Sequence, residues 1–193
     1  MLIKNINIKI IPILFIFLLA IVLRLYNINY EDFWTDEIFA FYTSEPGISF
    51  KGTLIRTLDS NFNCLFDFFL KGFHSLFGYD IHLSRFFPFI VSIISLILFS
   101  LLLSKITSYP SLIFGLYILS INIFHIRYSI EVRSYILTFL LVIFFIYLNF
   151  KNENDEYKYS YTRFTLIILT SVLMLLSHAF TILILGSLIV YKF

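Results

Sequence analysis

Eighteen consecutive residues, Phe86 to Leu103, carry no charged side chain. As a helix they would reach about 27 Å, close to the hydrocarbon thickness of a bilayer. No soluble core needs such an element, and the run is not alone. Ile10 to Leu23, Ser111 to Phe124, Ile136 to Phe150 and Phe164 to Val190 are also strongly apolar. With 60% hydrophobic and 13% charged residues, the chain departs far from a soluble globule. The sequence therefore predicts an all-α, polytopic transmembrane bundle in the cell membrane, with about five or six membrane helices. A formal charge of +2 gives no electrostatic basis for a nucleic-acid partner. The single Cys64 excludes an intrachain disulfide.

Positive residues set the direction. Lys4 and Lys9 precede the first run, and no small-residue cleavage site follows it, so residues 9–26 read as a retained span with a cytoplasmic start. The chain emerges near Asn27 into an outer loop, 27–83. The spans 86–103, 111–124 and 136–150 then alternate, with Thr107 to Pro110 as a cytoplasmic turn and His125 to Tyr135 as a polar island on the outer face. Lys151 to Arg163 reads as the next cytoplasmic loop. The stretch 164–190 is too long for one untilted span of ~20 residues and too short for two full ones. A hairpin with His178 near the outer face fits it. Because the chain ends at Phe193 directly behind apolar sequence, it is expected to be the amino-terminal part of a larger domain.

Within the outer loop, apolar residues at 65, 66, 69, 70, 73, 76 and 77 alternate with Asp67, Lys71, His74 and Ser75 at a helical period. The pattern predicts an amphipathic interfacial helix over 63–77, its polar face turned to water, with Gly78 ending it. Asp67 and Lys71 have the favourable i, i+4 spacing.

Two acidic sites fall on the predicted outer face. Asp36 and Glu37 follow the first span and diverge by about 100° if helical, so one would act and the other support. The same residues would also favour a helix amino terminus, with Thr35 as cap. In the island, Tyr128, Glu131 and Tyr135 would share a helix face. Arg127 lies four residues before Glu131, and Arg133 points elsewhere. Arg85 heads the second long span, where a fixed cation suits either headgroup snorkelling or a lipid-linked phosphate. His178 is costly within apolar sequence unless it reaches a partner. No Walker-type glycine loop, dinucleotide fingerprint, HExxH or GxSxG sequence occurs.

The order of these features is more specific than any one of them. Leu23-Arg24-Leu25, Trp34-Thr35-Asp36-Glu37, Leu76-Phe77-Gly78, Leu83-Ser84-Arg85-Phe86, Tyr128 to Tyr135 and Leu176-Ser177-His178 follow one another along the chain. This succession resembles the GT-C membrane glycosyltransferases, and most of all the branch of protein O-mannosyltransferases and the lipid A aminoarabinose transferase. The resemblance implies transfer of a sugar from a polyprenyl-phosphate donor to a lipid, glycan or protein hydroxyl. It implies Asp36 as the catalytic carboxylate with Glu37 supporting, and Arg85, Glu131, Arg133, Tyr135 and His178 around the donor. No cofactor is implied, although two separated acidic sites could hold a divalent cation. The chain departs from the family pattern at Asn61 to Cys64, where a Pro-Pro or His-Pro-Pro sequence is usual. A transporter or lipid-handling protein, or an inactive fragment, is the alternative expectation.

Overall fold

The computed structural model describes residues 2–26, 28–60, 64–150 and 161–192. They are helical, with no strand among the described residues. Four helices match apolar runs: α1 (Leu2–Leu25) and, numbered in chain order, α6 (Phe86–Ile106), α7 (Tyr109–Ile121) and α9 (Tyr135–Asn149). The last run divides into α10 (Tyr161–Ser177) and α11 (Thr181–Lys192). The break covers His178 to Phe180, where the His178 carbonyl accepts from the Thr181 hydroxyl at 2.8 Å. Between α1 and α6 lie α2 (Thr35–Thr43), α3 (Phe50–Ser60), α4 (Cys64–Phe77) and the single turn α5 (Ile81–Ser84), and α8 (Ile123–Tyr128) leads into the island. Among the described residues, only Ile81–Ile106, 26 residues, is by itself long and apolar enough to cross a membrane.

Local chemistry explains the boundaries. Pro110 stands in the first turn of α7 and Pro88 in that of α6, where the missing N–H has no intrahelical partner to lose. The Asp80 carboxylate caps α5 by accepting from the His82 and Leu83 N–H groups at 2.8 and 3.0 Å. Gly78 closes α4 at φ +111°, a conformation that a side chain would strain.

The pairings fix which helix ends lie together. Lys105 on α6 sits 3.6 Å over the Tyr147 ring of α9, so these two helices run parallel. Arg163 at the start of α10 donates to the Leu148 and Phe150 carbonyls at the end of α9. At the other end, the Thr138 and Ser177 hydroxyls meet at 2.7 Å, so α10 returns antiparallel to α9. Arg24, near the end of α1, donates to the Ser120 carbonyl near the end of α7. The ends of α1, α7 and α10 therefore share one side of the stack with the beginnings of α6 and α9. Two apolar clusters fill it, one of Ile16, Ala20, Leu96 and Leu116, the other of Ala40, Phe66, Leu70, Val91, Val132, Ile136 and Leu137.

Helix α4 falls within one residue of its predicted start, yet three of the four polar residues expected to face water are turned inward, and only Ser75 is exposed. Asp67, Lys71 and His74 are buried, whereas Phe69, Leu76 and Phe77 are exposed, Leu76 at 80%. Asp67 and Lys71 do not pair. The Asp67 carboxylate accepts from the Thr57 hydroxyl at 2.7 Å, and the Lys71 ammonium donates to the carbonyls of Glu45, Pro46 and Ile48. The cause is α3, whose inward face carries Thr53 and Thr57 while Phe50, Leu54, Ile55 and Leu58 point out. Two polar stripes face each other, and buried charges are solvated by hydroxyls and carbonyls instead of water.

The island also departs from expectation. The chain leaves the helical conformation after Tyr128 and turns through 129–134, so Tyr128, Glu131 and Tyr135 do not share a helix face. Arg127 pairs with Glu31 at 3.2 Å on the surface and not with Glu131. Asn27, Asn61 to Asn63 and most of the predicted cytoplasmic loop Lys151 to Arg163 lie outside the described residues.

Candidate functional site

Helix α2 starts behind Trp34, which is extended (φ −86°, ψ 168°), and presents two acids in its first turn. Trp34 holds the cap position predicted for Thr35, without a side-chain cap bond. Helical geometry sends the acids apart, as their adjacency requires. Asp36 stays at the surface, its side chain 32% exposed, and pairs with Arg133 at 3.1 Å. Glu37 points inward and is buried. One of its oxygens accepts from the Val132 N–H at 2.8 Å, and the other lies 3.5 Å from the Arg85 guanidinium. Arg85 is buried as well; it donates to the Ile28 carbonyl at 2.9 Å and lies 5.0 Å over the Phe33 ring. Glu37 thus ties α2, the start of α6 and the island into one corner.

Glu131 is the third acid. It is buried, and burial raises its carboxyl above the ordinary range, with the neighbouring Glu37 charge acting in the same direction. Arg127, Arg133 and the Trp34 indole N–H oppose that shift. The Arg133 guanidinium lies 5.9 Å from the Trp34 ring and 5.8 Å from the Tyr135 ring. Aromatic contacts continue from Tyr135 to Tyr128 (4.7 Å), from Tyr135 to His178 (5.8 Å) and from His178 to Phe180 (5.5 Å). All seven residues singled out from the sequence, Asp36, Glu37, Arg85, Glu131, Arg133, Tyr135 and His178, therefore meet at one end of the helical stack.

Behind the tyrosines a cavity of about 520 Å³ runs between α7, α8, α9 and α11. Its wall is mostly apolar, with Ile136, Phe139 and Val142 along α9, and Asn122, His125, Tyr128, Tyr135 and Thr138 supply the polar groups. Among the described residues, no three His, Cys, Asp or Glu side chains converge on a metal position.

Three buried polar residues near this end were not anticipated as partners in a network. Arg24 donates to the Ala20 and Ser120 carbonyls at 2.8 and 3.1 Å and meets His125 Nδ1 at 2.6 Å. With Nδ1 facing a guanidinium, the His125 proton belongs on Nε2, which faces the Ser95 hydroxyl at 3.1 Å. Burial and the Arg24 charge push this imidazole down to about 3, so it stays neutral. Asp67 is the third, pushed up to about 6 by burial against the opposing hydroxyls of Thr57 and Thr43. A sequence signal existed for Asp67: threonines four apart on α3 are the complement of the acid, lysine and histidine stripe on α4. Nothing in the sequence pairs Arg24 with a residue about one hundred positions away.

The geometry offers fixed cations at a helix-bundle end, accessible carboxylates beside them at Asp36 and Glu31, and an apolar cavity behind. Comparison of the chain with protein-family models, with curated proteins and with solved structures returns no match.

Proposed function

We propose that this chain is a GT-C-type membrane glycosyltransferase, a multi-pass bundle in the cell membrane. It moves a sugar from a polyprenyl-phosphate donor to an acceptor hydroxyl at the outer face. The observation that carries this reading is the Asp36–Arg133 pair, a carboxylate about one-third exposed beside a guanidinium, braced by the buried Glu37–Arg85 pair. Arginine suits the donor phosphate because its planar fork binds two oxygens at once. Asp36 accepts the proton of the acceptor hydroxyl as that oxygen bonds to the anomeric carbon. The bond from that carbon to the phosphate oxygen breaks, and polyprenyl phosphate leaves with the electron pair. A single displacement inverts the anomeric configuration, through a transition state of oxocarbenium character. Helices α1, α6, α7, α9, α10 and α11 are the membrane elements on this reading, and the exposed apolar side chains of α3 and α4 meet the lipid interface.

The test is transfer in proteoliposomes holding hexosyl- and pentosyl-phosphopolyprenols. Asp36→Asn keeps the side-chain size and removes the base, so transfer should fall by ~10² to 10⁴ with unchanged protein abundance. Transfer by Asp36→Asn at the wild-type rate, or no transfer by the wild type from any such donor, would sink the proposal.

A further inference from the structure

Two side chains at this helix end use their acceptor on the backbone and leave a donor free. Asn122 caps α8: its Oδ1 accepts from the His125 N–H at 3.0 Å, so the amide group that remains, Nδ2, can only donate. His178 stands at the break between α10 and α11, where its Nδ1 accepts from the Phe180 N–H at 3.3 Å. A ring nitrogen that accepts carries no proton, so the imidazole is held as the Nε2–H tautomer and its other nitrogen is a donor as well. Neither Asn122 Nδ2 nor His178 Nε2 has a partner among the described residues. Both flank one cavity. Asn122 lines the space of about 520 Å³ behind the tyrosines, and the His178 ring lies 5.8 Å from that of Tyr135, which lines it too and has the Arg133 guanidinium 5.8 Å away. Asn122, Tyr128 and Tyr135 belong to the end where α7 stops and α9 begins, whereas Phe139 and Val142 lie one and two turns further along α9. The cavity is therefore polar at its mouth and apolar in its depth, follows α9 for about 10 Å, and has no carboxylate in its lining.

We infer that Asn122 and His178 are binding residues for a phosphate carried on a hydrocarbon chain. Their N–H groups donate to the phosphate oxygens at the mouth, beside Arg133, and the part of the chain next to the phosphate lies along Tyr135, Phe139 and Val142. Amide, imidazole and guanidinium donors suit a head made of acceptor oxygens, and oxygens that find such donors avoid the cost of being buried unpaired. An apolar space that opens at those donors takes the chain that follows the head. The inference rests on the donor reading of this helix end for the identity of the chain, a prenyl one. A phospholipid would present the same phosphate chemistry, and the experiment separates the two.

The experiment is equilibrium binding of tritiated farnesyl phosphate to the full chain in zwitterionic lipid nanodiscs, with farnesol and dihexanoyl phosphatidate as competitors. Saturable binding is expected, with farnesol competing ~10-fold less well or worse, because it lacks the head that the donors hold. Asn122→Asp is the decisive variant: aspartate keeps the α8 cap and the size of the side chain but replaces the donor with a negative oxygen, so affinity should fall ~10-fold or more. His178→Gln puts an amide N–H about where Nε2–H stands and should bind nearly as the wild type does, whereas His178→Ala should lose ~10-fold. Val142→Trp fills the depth of the cavity and should weaken binding as well. Wild-type affinity in Asn122→Asp, equal losses in His178→Gln and His178→Ala, competition by farnesol as strong as by unlabelled farnesyl phosphate, or no saturable binding of the probe would overturn the assignment. Displacement by dihexanoyl phosphatidate as effective as by farnesyl phosphate, with Asn122→Asp weakening both, would uphold the head contacts and defeat the polyprenyl donor reading.

Discussion

Two buried arginines stand about as deep as each other and are compensated in opposite ways. Arg85, at the open end of the stack, faces the carboxylate of Glu37, and its neighbour Arg133 faces that of Asp36. Arg24, between α1, α7 and α8, meets two carbonyls and a neutral imidazole and no carboxylate. The difference separates two uses of charge. A guanidinium solvated by backbone dipoles locks helices together and offers a ligand nothing new. Guanidiniums paired with acids at a surface can exchange those acids for a phosphate. A cation reserved for binding needs a counter-ion when the site is empty, since an unpaired buried charge is expensive.

The largest effect expected from breaking this contrast is at Glu37. Glu37→Ala leaves the Arg85 charge buried without its acid, and such a loss costs ~3 to 5 kcal/mol. Thermal unfolding in detergent should show it as a large loss of stability, and Arg85→Met in the same chain should return much of it by removing the stranded charge. Asp36→Asn, at the same end, breaks a pair that is one-third exposed on the acid side and should cost less than ~1 kcal/mol. Equal losses at the two positions would erase the distinction between a buried, bracing acid and a partly exposed one.

Asp67 sharpens the comparison with a charge of the other sign, since hydroxyls solvate it and no cation among the described residues stands at ion-pair distance, Arg133 acting only from further off. Its folded-state value of about 6 lies above the ordinary carboxyl value of 3.8, so the folded chain binds this proton more tightly than the unfolded chain. The resulting stability is fully present below pH 4 and is lost as pH rises toward 6. Asp67→Asn removes that dependence. The variant should gain on the wild type between pH 4 and 6 and level off above, by up to ~3 kcal/mol less the weakened Thr57 bond. A difference that stays constant with pH would mean that Asp67 is ionised in the fold at little cost.

How much of this could be read in the sequence follows from range. The apolar runs around α6, α7 and α9 and the period of α4 are local signals, and the structure keeps their boundaries within a few residues. Convergence of seven site residues on one end was legible too, because alternation of the apolar helices brings their charged connections to the same end. The direction of the α4 polar face was not. Periodicity says that a helix has two faces, and the choice between water and another polar stripe belongs to α3, which showed no apolar run. The island failed for a related reason: the i, i+3, i+7 spacing assumed a helix that the turn after Tyr128 ends. Pairings such as Asp36 with Arg133 depend on how α2 sits against the island, and no spacing encodes that.

The smallest pH effect concerns Arg24, and it tests whether its network is a lock and nothing more. Arg24→Met fills similar volume and removes the buried charge along with its desolvation cost, but the Ser120 carbonyl and His125 Nδ1 lose their donor. A buried acceptor left without a donor costs ~1 to 3 kcal/mol, so a moderate loss of stability is expected at neutral pH. The pH dependence carries the sharper sign. His125 folds with its imidazole held at about 3, below the ordinary 6.5, so this residue contributes stability above pH 6.5 that is lost as pH falls toward 3. Arg24 contributes to that depression, so in Arg24→Met the folded imidazole takes up a proton at higher pH and acid costs the variant less. The gap between variant and wild type should therefore narrow on acidification, as followed by thermal unfolding at neutral pH and at pH 5. A gap that widens instead would show that the cation is not what keeps His125 neutral, and the contrast with Arg85 would then rest on burial alone.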